Sequence, residues 1–185
     1  DDEIEISAGW NEEYAQLAKA FNPIYFDAEE WVKLAKDAGM NYMVVTSKHH
    51  DGFCMFKSEY DNYNVVDATP FGRDVIGEIA AACKKHGLKL GLYYSQELDW
   101  HEPNGGGYHP SHLNIDDTHW TNNWDFPDDE HKNFTQCFED KIKPQVKEIL
   151  TEYGDIYNTY CSWMTMEGEK RGKLNYRYVG WDNAE

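Results

Sequence analysis

The order of helix caps, glycines and apolar runs predicts an α/β chain built on a parallel sheet. Three observations carry this reading. Two helical patterns open on an aspartate, Asp27 and Asp74, and stop at a glycine, Gly39 and Gly87. Each is followed at once by a short apolar run rich in β-formers, and the same order recurs around Gly154. Polar residues then gather directly after the strands, where doubly wound sheets and (β/α)8 barrels both carry their sites. At this level both architectures fit.

The elements follow in order. Asp27 is placed to cap a helix through Trp31, Val32, Leu34 and Ala35, with Glu30 three residues on as in a capping box. After Gly39, residues 41–46 read as a buried strand. Asp74 opens a helix through Val75, Ile76, Ile79, Ala80 and Cys83 that Gly87 ends, and 88–95 is the second strand. A helix over 128–153 is expected to kink or break at Pro144. Gly154 ends it, and 155–161 is a third strand. The stretch 101–129, rich in Gly, Asn, His, Trp and Asp, reads as a functional loop over the strand ends.

Composition narrows the function. The 185 residues hold 17 Lys+Arg against 34 Asp+Glu, a formal net charge of −17. Such a surface repels nucleic acid and anionic membrane. No apolar run approaches the roughly 20 residues of a membrane span. No Gly-rich phosphate loop follows a strand, so nucleotide binding has no support. The four cysteines, Cys54, Cys83, Cys137 and Cys161, are far apart and unlike a structural zinc site; two disulfides and buried free thiols both fit them. Asn133-Phe134-Thr135 is a formal glycosylation sequon.

Three groups can carry chemistry. His49-His50 with Asp51 stands at the first strand's end. Neutral imidazoles offer one donor and one acceptor each, which suits sugar hydroxyls; a metal site is the rival reading, and solvated loop histidines the bland one. In the second strand Gly91, Tyr93 and Ser95 share one face, and Leu90, Leu92 and Tyr94 share the other. The aliphatic face should meet the helices, leaving Tyr93 and Ser95 toward the site; a core tyrosine pair is the alternative. Trp100, Trp120 and Trp124, three of seven tryptophans, lie in or beside the polar loop, as aromatic rings do where they stack on sugars or simply pack a loop.

At these motifs the chain resembles the α-L-fucosidases of glycoside hydrolase family 29, most of all their bacterial, Bacteroidetes-type members. The resemblance runs from about Tyr14 to Ile156. It is carried by Phe26-Asp27-Ala28-Glu29-Glu30-Trp31, Thr46-Ser47-Lys48-His49-His50-Asp51-Gly52-Phe53, Gly91-Leu92-Tyr93-Tyr94-Ser95 and Asp99-Trp100-His101-Glu102-Pro103. It implies a (β/α)8 catalytic barrel of which residues 1–185 form part, and retaining hydrolysis of α-L-fucosides without metal or cofactor. The implied partner is a fucosylated oligosaccharide or glycoconjugate, and the implied location is periplasmic or secreted. His49, His50 and Tyr93 would bind the fucose hydroxyls, with Trp100 an aromatic contact.

The chain also departs from the family pattern. A full barrel needs about 250 residues, so later units and the first strand-helix unit are expected to be missing; only Ser7-Ala8-Gly9-Trp10 stands near the family's opening motif. Where the family places its Asp nucleophile, alignment puts Ser162. A serine hydroxyl lacks the charge and leaving ability of a carboxylate. Arg177 falls in the slot of an arginine that supports the nucleophile, and Glu185 in that of an acid/base. Three expectations follow: part of an active fucosidase, an inactive fucose-binding barrel, or a metal-dependent hydrolase built on His49, His50 and Asp51.

Overall fold

The computed structural model describes residues 10–96, 98–105 and 133–162. In chain order these form α1 (Trp10–Ala15), a 3-10 turn (Gln16–Ala20), α2 (Ala28–Asp37), β1 (Tyr42–Lys48), α3 (Val75–His86), β2 (Lys89–Ser95), α4 (Phe134–Cys137), a π-helical turn (Phe138–Ile142), α5 (Lys143–Thr151) and β3 (Ile156–Ser162). The three strands make one parallel sheet in the order β1-β2-β3.

The caps act as the sequence predicts. Asp27 accepts from the Glu30 amide at 3.0 Å and Asp74 from the Gly77 amide at 2.8 Å, each satisfying an amide that the first helical turn leaves without a partner. Gly87 closes α3 in the left-handed region at φ 63°, where a Cβ is strained. The helix expected over 128–153 is divided instead: its described part is α4, the π turn and α5, with Pro144 in the first turn of α5. Proline lacks an amide to donate, and the first turn is where that loss is tolerated. The chain then leaves α5 at Thr151, before Gly154.

One face of the sheet carries the core. Leu90, Leu92, Tyr94 and Ile156 pack with Val32, Ile76, Ile79, Ile142 and Ile149 from the helical segments. Burying each such aliphatic side chain contributes about 1.5–3 kcal/mol. The other face is open: Tyr42, Val44 and Tyr157 are 51%, 42% and 52% exposed. The period-2 reading of β2 therefore holds, with the aliphatic side inward to the helices and Tyr93 on the opposite side.

A bulge in β1 decides where its last residues go. Thr46 pairs with Tyr93, but Lys48 pairs with Tyr94, so Ser47 is the extra residue. One inserted residue reverses the alternation. Lys48 thus turns to the helix side, fully buried, its Nζ 4.6 Å from the centre of the Tyr94 ring. Strict alternation would have left it beside Thr46 on the open face. Cys54, Cys83 and Cys137 are free and buried. Among the described residues no helix is long and apolar enough to cross a membrane.

Candidate active site

The C-terminal ends of β1 and β2 bring four of the sequence-predicted residues together. The His49 and His50 rings lie 4.1 Å apart. His49 stacks on Tyr93 with ring centres 5.6 Å apart and planes at 25°. His50 faces Trp100 at 6.3 Å. Next in the chain, His101 stacks on Tyr63 with ring centres 4.1 Å apart. Ser162 ends β3 opposite Ser95 in register, so its backbone stands at the same end of the sheet. Arg177, Glu185, Trp120 and Trp124 lie outside the described residues, as does most of the loop 101–129.

Hydrogen bonds fix His50 at the end of β2. His50 Nδ1 is 2.6 Å from Ser95 Oγ, and the Trp100 amide donates to the His50 carbonyl at 2.8 Å. Ser47 Oγ donates to the Tyr93 carbonyl at 2.8 Å, tying the bulge to the strand that bears the phenol. Burial, the neighbouring His49 ring and the Lys48 charge push the His50 imidazole down to about 4, so it is neutral at ordinary pH. A neutral ring accepts at one nitrogen and donates at the other. Among the described residues no group of three or more His, Cys, Asp or Glu is placed to hold a metal ion.

Beneath these rings lies an ionic cluster without an assigned role in the sequence reading. Asp99 Oδ2 accepts from Lys48 Nζ and from Lys141 Nζ, both at 2.9 Å, and all three residues are buried. Lys141 also reaches Asp61 at 2.5 Å and Glu102 at 3.9 Å. Asp99 Oδ1 accepts from the His101 amide at 3.1 Å. Burial alone would raise the Asp99 carboxyl, but the two ammonium groups outweigh it and hold it down at about 2. For the lysines the contest runs the other way. Burial lowers both, and the charge of Asp99 more than restores them, with Asp61 adding to the effect at Lys141.

The cluster joins β1, the loop after β2 and the π turn, so it sets how the His49-His50 loop meets the Trp100 loop. Gly52 belongs to the same joint. It sits at φ 80°, and a Cβ there would run into Asp99 Oδ1 and come within 3.0 Å of His101 Cβ. Lys48 and Asp99 stand inside the quoted motifs, immediately before His49 and Trp100. Lys141 left no trace: a lysine in a helical stretch reads as solvated.

Imidazoles, a phenol and an indole gathered at the C-terminal mouth of a parallel sheet set neutral donors and acceptors beside flat apolar faces, a chemistry that suits sugar hydroxyls. The chain belongs to the α-L-fucosidase family, whose model matches residues 5–182. It is 31% identical over 169 residues to α-L-fucosidase 1 of Arabidopsis thaliana, covering 87% of this chain and 26% of the relative. Its fold matches α-L-fucosidase AlfC from Lactobacillus casei in complex with α-L-fucose, with a TM-score of 0.77 and 58% identity over 86% of this chain and 49% of that one. The α-L-fucosidase from Vibrio sp. strain EJY3 matches with a TM-score of 0.71 and 40% identity, over 82% of this chain and 24% of that one. The chain thus spans about a quarter of the Arabidopsis relative and half of AlfC. None of these three relatives bears on the Bacteroidetes origin.

Proposed function

We propose that this chain is part of the (β/α)8 catalytic barrel of a retaining glycosidase that releases α-L-fucose from fucosylated glycans, exported to the periplasm or beyond. The observation that carries the reading is the convergence of His49, His50, Tyr93 and Trp100 at one end of the sheet. The barrel is supported by the three parallel strands and by the open face of Tyr42, Val44 and Tyr157, which further strands would cover. The AlfC relative holds its fucose product, which supports the choice of sugar.

In this reading His49, His50 and Tyr93 hold the fucose hydroxyls and Trp100 offers an apolar face to the sugar. A carboxylate attacks the anomeric carbon while a protonated acid donates to the leaving oxygen; water then displaces the carboxylate, with the acid now acting as base. Glu185 takes the acid/base role and Arg177 the support of the nucleophile. Ser162 stands in the nucleophile's slot without a carboxylate, so the Asp nucleophile of the family is missing or altered in this chain.

That same serine favours a second reading, a barrel that binds fucose without cleaving it. The test is hydrolysis of 4-nitrophenyl α-L-fucoside by the whole protein, with calorimetry on L-fucose alongside. Nitrophenol release with α-L-fucose as the first-formed anomer supports the retaining enzyme. Binding without release supports the second reading, and a folded protein that does neither contradicts both.

A further inference from the structure

The hydroxyl of Ser95 touches two groups that make opposite demands on it. Its Oγ lies 2.6 Å from His50 Nδ1 and 3.1 Å from the carbonyl oxygen of Leu98. A carbonyl can only accept, and a serine hydroxyl carries one proton. If that proton goes to Leu98, the Ser95 oxygen is left with lone pairs alone on the His50 side, and Nδ1 must be the donor. The reverse arrangement, with Ser95 donating to a bare Nδ1, leaves the Leu98 contact unfilled at a place where both residues are buried. Both contacts are hydrogen bonds only when Nδ1 carries the hydrogen.

We propose that Ser95 is a positioning residue that fixes His50 as the Nδ1–H tautomer, so that Nε2 presents a lone pair and the site accepts a hydrogen bond there from one substrate hydroxyl. Among the described residues no hydrogen bond engages Nε2. The ring is held in place from three sides: by Ser95 at Nδ1, by the Trp100 amide on the His50 carbonyl, and by the adjacent His49 ring. Burial and the nearby His49 and Lys48 keep it uncharged, which the tautomer requires. The consequence is selectivity: a hydroxyl at this point donates, whereas a fluorine or methoxy group in its place has nothing to donate.

The inference rests on the fucoside reading for its substrate, but the tautomer itself can be read with no sugar present. Two-bond 1H–15N correlations of the whole, 15N-labelled protein at neutral pH report each ring nitrogen of His50. The expected pattern is a protonated Nδ1 and a bare Nε2. Ser95→Ala should shift the ring toward the other tautomer, and Ser95→Thr, which keeps the hydroxyl, should restore it. A set of monofluorinated L-fucose derivatives then tests the consequence. One position should lose about tenfold or more in affinity against L-fucose, and Ser95→Ala should narrow that gap. A proton on Nε2 in the unsubstituted protein, or a pattern unchanged in Ser95→Ala, overturns the assignment. A protein with the expected spectrum that binds no fucose overturns the fucoside reading and leaves the role of Ser95 in setting the tautomer standing.

Discussion

Replacing Asp99 by asparagine tests the buried cluster most severely. In the native protein its carboxylate neutralises two ammonium groups at 2.9 Å each, and the depression of its pKa from 3.8 to about 2 measures how strongly the folded state prefers it charged. Taken as free energy, that shift is worth about 2 kcal/mol. The cost of the substitution is larger, because Lys48 is left charged and buried without its carboxylate while Lys141 keeps Asp61. Removing one partner of a buried pair costs about 3–5 kcal/mol, against about 5–15 kcal/mol for a whole domain. With a urea slope near 2 kcal/mol per molar, the unfolding midpoint should fall by about 1.5–2.5 M. Adding Lys48→Met should recover part of the loss, since the orphaned ammonium goes with it. The pH dependence has a definite sign. A depressed carboxyl stabilises fully above about pH 4, and that contribution drains away as pH falls toward 2; Asp99→Asn should lack this segment. A midpoint within about 0.3 M of the unsubstituted protein, or strict additivity with Lys48→Met, would refute the reasoning.

Other perturbations probe neighbouring joints. His50 should titrate near 4 by NMR, and L-fucose affinity should fall as pH drops through that value, because a protonated Nε2 no longer accepts; an inflection near 6.5 would contradict its burial against His49 and Lys48. Gly39 and Gly52 share φ values of 79° and 80°, but only at Gly52 would a Cβ meet Asp99. Gly39→Ala should therefore cost about 1 kcal/mol of backbone strain and Gly52→Ala clearly more, with fucose binding impaired only in the latter. Tyr94→Phe removes the hydroxyl that donates to Gln145 Oε1 at 2.7 Å within the core, and thermal or urea unfolding should show a loss of about 1–3 kcal/mol.

Local rules decide much of this fold. Asp27, Asp74 and Gly87 mark real helix ends because capping is decided within four residues of chain. The two faces of β2 are legible because Leu90, Leu92 and Tyr94 alternate strictly with Gly91, Tyr93 and Ser95. What escaped depends on events that no local pattern encodes. The Ser47 bulge turns Lys48 away from the site although it adjoins His49 in sequence. Lys141 becomes a buried counter-ion only because the π turn meets Asp99 in the loop after β2, far away in the chain. The bond between His50 and Ser95 joins the loop after β1 to the end of β2, and its meaning lies in the single proton that Ser95 gives to Leu98.

In the proposed function His49, His50, Tyr93 and Trp100 form one hydroxyl-binding site at the mouth of the sheet. Side-chain resonances of the whole protein, followed during addition of L-fucose, test it most directly. Saturable shifts are expected at these four residues with one common dissociation constant, abolished together by His50→Ala. Shifts centred elsewhere, or saturable fucose binding that leaves these four resonances still, would contradict it.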